Sequence, residues 1–235
     1  MQPDKLSRSL TLKAWLLAWL FVMPACLMGQ QITRTAQKLT ASEDACFRCS
    51  PLPDSVFSLM QGRSFAKGCT TGRQDLRYIE CLHVDKEGHV KHGEMVVNRK
   101  IAAIVLSILK QLYQARYPIE RMQLIDHWDG NDEQAMRANN SSAFNFRFIS
   151  HTRKPSKHAL GMAIDINPLY NPYHKRLRNG KEVTEPATAK PYLDRNGHYP
   201  YKIEKGDLCY RLFTQAGFRW GGNWKTMKDY QHFEK

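Results

Sequence analysis

The chain has 235 residues, 42% of them hydrophobic, which is enough to bury one substantial core and excludes two full-sized ones. Its 35 Lys and Arg outnumber 22 Asp and Glu, and the formal charge of +13 suits an anionic polymer or a membrane surface as the contact partner.

Residues 1–13 carry Lys5, Arg8 and Lys13, and the apolar run Ala14 to Met23 follows, closed by Pro24. This run is far shorter than the roughly 20 residues a membrane-spanning helix needs, so residues 1–29 read as an export signal rather than an anchor. Met23-Pro24-Ala25-Cys26 resembles a lipoprotein cleavage site in its small residue before Cys26 and departs from it at Pro24, which leaves membrane attachment through a lipidated Cys26 open. Loss of the signal removes Lys5, Arg8, Lys13 and Asp4 and leaves a strongly basic chain. Export to a periplasm or cell envelope argues against nucleic acid as the partner, and a monomer is expected.

Cys46, Cys49, Cys69, Cys81 and Cys209 remain, an odd number that cannot all pair. In an oxidising compartment disulfides are expected among the first four. A four-thiolate structural zinc site is the alternative, weakened because Cys46-x-x-Cys49 alone has the tight spacing.

Residues 30–77 have mixed polarity and read as a linker or irregular Cys-containing segment, with the main domain over residues 78–235. Lys86-Glu87-Gly88 reads as a hairpin turn between two short strands. Ile101, Ile104, Val105, Ile108, Leu109, Leu112 and Tyr113 then fall on one helical face, and the helix should stop before Pro118. Met122 to Ile125 reads as a buried strand and Asp129-Gly130-Asn131-Asp132 as a loop. Asn171 to Lys205, rich in charge, Pro and Gly, reads as an insertion over or beside a cleft, and Gly206 to Ala216 as a short helix ended by Gly217.

Ser156-x-His158-x-x-Gly161-x-Ala163-x-Asp165 ends in strand-like alternation. Met162, Ile164 and Ile166 suit a core, while Gly161, Ala163, Asp165 and Asn167 form a small and polar face with room for an ion and a substrate. His158 and Asp165 differ in parity, so they converge only if Lys157 to Gly161 is a turn. A third ligand is available in Asp229-Tyr230-Gln231-His232. Two imidazoles and a carboxylate leave zinc positively charged with an open position for water, and Asp229 is the candidate general base. Asp229 and His232 would face opposite sides of a straight strand, so a turn or bulge is expected at Asp229. A rival grouping of His83, His89 and His92 with Asp85 and Glu94 fails on parity, and these read as surface histidines.

The Ser156–Asp165 block together with Asp229-x-x-His232 resembles the D-alanyl-D-alanine carboxypeptidase and L-alanyl-D-glutamate endopeptidase family of zinc peptidases, which shares its fold with the hedgehog signalling domain. The likeness extends from about Tyr78 to Lys235 and takes in Ser141-Ser142-Ala143-Phe144-Asn145-Phe146-Arg147 and Trp220-Gly221-Gly222-Asn223-Trp224. It implies one catalytic zinc held by His158, Asp165 and His232, with Asp229 as the base. It also implies Arg147 as the group that polarises the scissile carbonyl or holds substrate, and Ser156 as a seat for a substrate carboxylate. Tyr170, Tyr173 and Trp224 are expected to line the cleft, with plain packing as the alternative. Asp229 and Gln231 stand where carboxypeptidase members carry Glu and an aromatic residue, so the chain is more similar to the endopeptidase branch. Asn223 replaces an expected Asp.

The implied whole is an α+β domain in which a small antiparallel sheet carries the zinc site and helices flank it, acting on peptidoglycan stem peptides. A D-Ala-D-Ala carboxypeptidase and a non-catalytic zinc module that binds peptidoglycan are the alternatives.

Overall fold

In the computed structural model, which describes residues 38–149 and 152–235, the hairpin around Lys86-Glu87-Gly88 joins the two longest strands of the chain. The expected export signal and Cys26 lie outside the described residues. In chain order the elements are α1 (Ala41–Asp44), β1 (Arg48–Pro51), α2 (Asp54–Met60), β2 (Leu76–Val84), β3 (Val90–Asn98), α3 (Ala102–Gln114), β4 (Arg121–Met122), α4 (Asp132–Arg137) and β5 (Asn140–Ser141). They continue with β6 (Ala163–Asp165), β7 (Tyr173–Arg176), β8 (Glu182–Glu185), α5 (Leu208–Gln215), β9 (Arg219–Trp220), β10 (Lys228–Asp229) and β11 (His232–Glu234). Mixed α and β elements with small antiparallel sheets result, in orders β1-β2-β3, β10-β7-β8 and β6-β11-β9, beside a parallel pair β4-β5.

Alternation along β2 and β3 feeds two apolar clusters. Ile79, Cys81, Met95 and Val97 pack with α3, whereas Leu76 and Val96 join Met60, Leu124 and Phe144. The predicted helical face is buried at Val105, Ile108, Leu109, Leu112 and Tyr113, each side chain contributing about 1.5–3 kcal/mol. The helix stops before Pro118 as expected, and Arg116 takes the left-handed conformation at φ 51°. Its N–H donates to Tyr113 O (2.8 Å) and that of Tyr117 to Leu112 O (2.8 Å), so the last turn's carbonyls are satisfied. The second predicted helix is α5, capped by Asp207, whose side chain accepts from Tyr210 N, and ended by Gly217 at φ 84°. Its Phe213 stacks on Phe233 of β11 with ring centroids 4.4 Å apart. One side of β6-β11-β9 is thereby fastened to the helical core.

Four expectations need correction. Residues 41–77 carry α1, β1 and α2 in place of an irregular linker; β1 pairs with β2, Arg48 opposite Glu80, and Arg48 Nη2 reaches Glu80 Oε1 at 2.8 Å. The strand expected over Met122 to Ile125 ends at Met122, and a 3-10 turn begins at Ile125. The expected disulfides and the thiolate cluster are not seen among the described residues: Cys49 lies opposite Ile79 on exposed β1, Cys81 turns into the α3 core with Sγ 3.5 Å from Met122 Sδ, and the Sγ atoms of Cys46 and Cys69 donate to Ser42 O and Thr71 O. His83 is a core histidine rather than a surface one, 3% exposed, with Nδ1 2.7 Å from Ile119 O.

Candidate metal and catalytic site

The site begins with the register of β6 and β11, where His232 lies directly opposite Asp165. Direct partners in an antiparallel pair project from the same face. One residue along, Phe233 faces Ile164 and both point into the core. His158 arrives from outside this sheet on the turn 157–161 that its parity requires. Gly161 allows that turn, with φ +64°; a side chain there would begin 2.7 Å from Asn98 N. Ser156 closes the turn from below, its Oγ accepting from Ala159 N at 3.0 Å.

Three ligand-type atoms converge on one point. His158 Nε2 is 3.1 Å from His232 Nδ1 and 3.2 Å from Asp165 Oδ2, and His232 Nδ1 is 3.0 Å from Asp165 Oδ1. Tetrahedral zinc with ligand bonds of about 2.0–2.1 Å places its ligand atoms roughly 3.3 Å apart, so this donor set fits the ion in type and spacing. The rear nitrogens of both rings are engaged. His158 Nδ1 donates to Ala143 O at 2.7 Å, and His232 Nε2 lies 3.4 Å from Glu234 Oε2, which turns the other nitrogen of each ring toward the shared point. Burial opposes charge on Asp165, yet the two imidazoles outweigh it and hold this carboxyl well below the usual range. Burial likewise opposes a charged His232, but the Asp165 and Glu234 carboxylates push it up to about 10. The carboxylates around this point therefore favour positive charge on the imidazoles.

Asp229 stands beside this cluster on a strand of its own. The kink expected at Asp229 falls one residue later, at Tyr230 and Gln231 between β10 and β11. Its Oδ1 is buried with no hydrogen-bond partner. Burial, reinforced by Asp165, pushes the carboxyl up to about 7 against His232, Gln231 and Arg147. The Gly-Gly pair explains how this strand fits: a side chain on Gly221 would begin 2.6 Å from Asp229 O, and one on Gly222 2.4 Å from the Trp220 ring.

The remaining predicted residues are dispersed around the cluster. Trp224 packs against His232 with centroids 5.4 Å apart. Arg147 is exposed, ion-paired through Nε with Asp132, and near enough to Asp229 to oppose the rise in its pKa. Tyr170 belongs to an aromatic group with Tyr192, Tyr199 and Tyr201, and its carbonyl accepts from Arg195 Nη1 at 2.9 Å. Tyr173 pairs with Asp229 across β7 and β10.

Residues 150–235 match the family model described as D-alanyl-D-alanine carboxypeptidase. That segment supports the family resemblance read from the sequence, and it contains the His158 turn, β6, the 171–205 insertion and the Asp229–His232 strands. It begins after Arg147, so the role of this arginine draws nothing from the match. No curated protein and no solved structure matched the chain.

Sequence reasoning passed over four supporting groups. Glu234 was findable, since it lies two residues from His232 on one strand and so on the same face. Gly221 was named within a motif without its reason. The Ala143 carbonyl behind His158 and the pairing of the insertion with Asp229 left no local signal, because both depend on contacts distant in sequence.

Proposed function

We propose that the chain is an exported zinc peptidase that hydrolyses an amide bond of peptidoglycan stem peptides, with the L-Ala-D-Glu type of endopeptidase cleavage favoured. The observation that carries this reading is the convergence of His158 Nε2, Asp165 and His232 Nδ1 beside Asp229, whose buried Oδ1 has no hydrogen-bond partner. His158, Asp165 and His232 would hold the ion. When bound, zinc supplies the Lewis acidity that makes water nucleophilic near neutral pH.

The chain's own groups do the rest. Asp229 accepts the proton of the attacking water and returns it to the leaving amine, a role open to a carboxyl whose Oδ1 is left without a partner beside the ligands. Ala143 and Glu234 keep both imidazoles in one tautomer and one orientation. Arg147 supplies positive charge for the scissile carbonyl or a substrate carboxylate, Trp224 walls the cleft over His232, and Ser156 fixes the turn that carries His158. The basic surface suits retention on an anionic wall, and the export signal would deliver the chain to the periplasm or envelope.

The test is digestion of purified muropeptides by the zinc-loaded chain, with products identified by mass spectrometry. Release of terminal D-alanine would replace the endopeptidase reading by the carboxypeptidase one that the matched model's description names. Stoichiometric zinc with no cleavage of any muropeptide would leave a binding module.

A further inference from the structure

The insertion extends the sheet that begins at Asp229. In the sheet β10-β7-β8, Asp229 lies opposite Tyr173 and Tyr173 opposite Glu185, so the three side chains stand in one row on one face. Strands lie about 4.8 Å apart, which places the Glu185 backbone roughly 10 Å from that of Asp229. The ionisation of Tyr173 is opposed by burial first and then by the carboxylates of Glu185 and Asp229, as befits a ring between them. Burial raises the Glu185 carboxyl above its usual range, as it does Asp229, and the charge of Arg147 opposes the rise in both.

Glu185 differs from its acidic neighbours in having no bond to spend. Asp132 is held by Arg147 and by Asn145 Nδ2 at 2.8 Å, and Glu133 by Arg137 Nε at 2.8 Å and Ala187 N at 2.9 Å. No described side chain or backbone group bonds the Glu185 carboxylate, which sits exposed at the rim.

We propose that Glu185 is a specificity-determining residue that receives an ammonium group of the substrate, while Arg147 across the row receives a carboxylate or carbonyl oxygen. The substrate class is then a peptide carrying a free side-chain amine near the cleaved amide. About 10 Å is the reach of three extended residues, or of one residue and a long aliphatic side chain. This inference rests on Asp229 marking the reacting end of the cleft, as in the peptidase reading.

Two stem peptides of one sequence test it, one with a free side-chain amine and one with that amine acetylated, each with the zinc-loaded full chain. The parental chain should favour the free amine by roughly threefold to tenfold in kcat/KM, through KM, as fits an ion pair at a partly exposed site. Glu185→Gln should erase the preference and leave the acetylated peptide unaffected, and Glu185→Lys should invert it. Equal handling of both peptides by the parental chain, or an unchanged ratio in Glu185→Gln, overturns the proposal. Calorimetric affinities for the same peptides separate this outcome from failure of the peptidase reading. An amine preference that Glu185→Gln abolishes supports the site even without turnover, whereas absent turnover with zinc bound counts against the peptidase.

Discussion

The two halves of the site are built on opposite plans. His158, Asp165 and His232 are 5%, 9% and 6% exposed, two of them are direct partners in one ladder, and each imidazole has an acceptor behind it. Asp229 instead occupies a two-residue strand held by an insertion hairpin, with one carboxylate oxygen unpaired. The histidine and aspartate half has its polar groups engaged, while the Asp229 half keeps an unsatisfied acceptor. Precision in the second half is borrowed from the first, through the short bend at Tyr230 and Gln231.

The strongest way to break this contrast is to remove a ligand. His232→Ala should abolish stoichiometric zinc and with it all measurable muropeptide hydrolysis, read by metal analysis beside a turnover assay. A variant that keeps full zinc and activity would remove His232 from the site. Asp229→Asn should separate the halves: zinc is retained, and the rate falls on the order of a hundred- to ten-thousand-fold because the amide cannot take a proton. Parental turnover in that variant would make the base a structural residue.

Gly221→Ala sharpens the comparison without touching a reacting group. The new methyl would begin 2.6 Å from Asp229 O and must displace β10. A loss of kcat of about tenfold or more is expected, with zinc content unchanged and about 1–3 kcal/mol of stability forfeited. Equal loss of zinc would show that the halves are not separable.

A separate effect is one of pH on the metal-free chain. Asp229 ionises near 3.8 when unfolded and at about 7 when folded. Its contribution to stability is therefore fully present below pH 3.8 and is lost as pH rises toward 7. Denaturant titrations at pH 4 and pH 7 should show a smaller drop for Asp229→Asn than for the parental chain, and identical drops would contradict the burial assigned to this carboxyl.

The candidate site residues were the ones the sequence let us name. His158, Asp165, His232 and Asp229 could be named because their spacing and residue types are tied to chemistry, and the 157–161 turn followed from parity alone. The α3 and α5 helices were readable from period and punctuation for the same local reasons. Contacts set by register were not readable. Cys49 and Cys81 looked pairable until β1 and β2 placed them on different surroundings, and His83 looked like a surface residue until Ile119 O closed over it. Glu185 could not be singled out before β7 joined β8 to β10.

The ladder between Asp165 and His232 spans 67 positions of sequence, and the whole insertion lies inside the loop it closes. The entropy of closing such a loop grows only with the logarithm of its length, about 0.6 kcal/mol for each doubling. The insertion can therefore gain or lose residues at little thermodynamic cost to the ladder that shuts it. A lineage of such chains could reshape what the proposed site recognises by rewriting the interior of this loop, leaving Asp165, His232 and their pairing as they are.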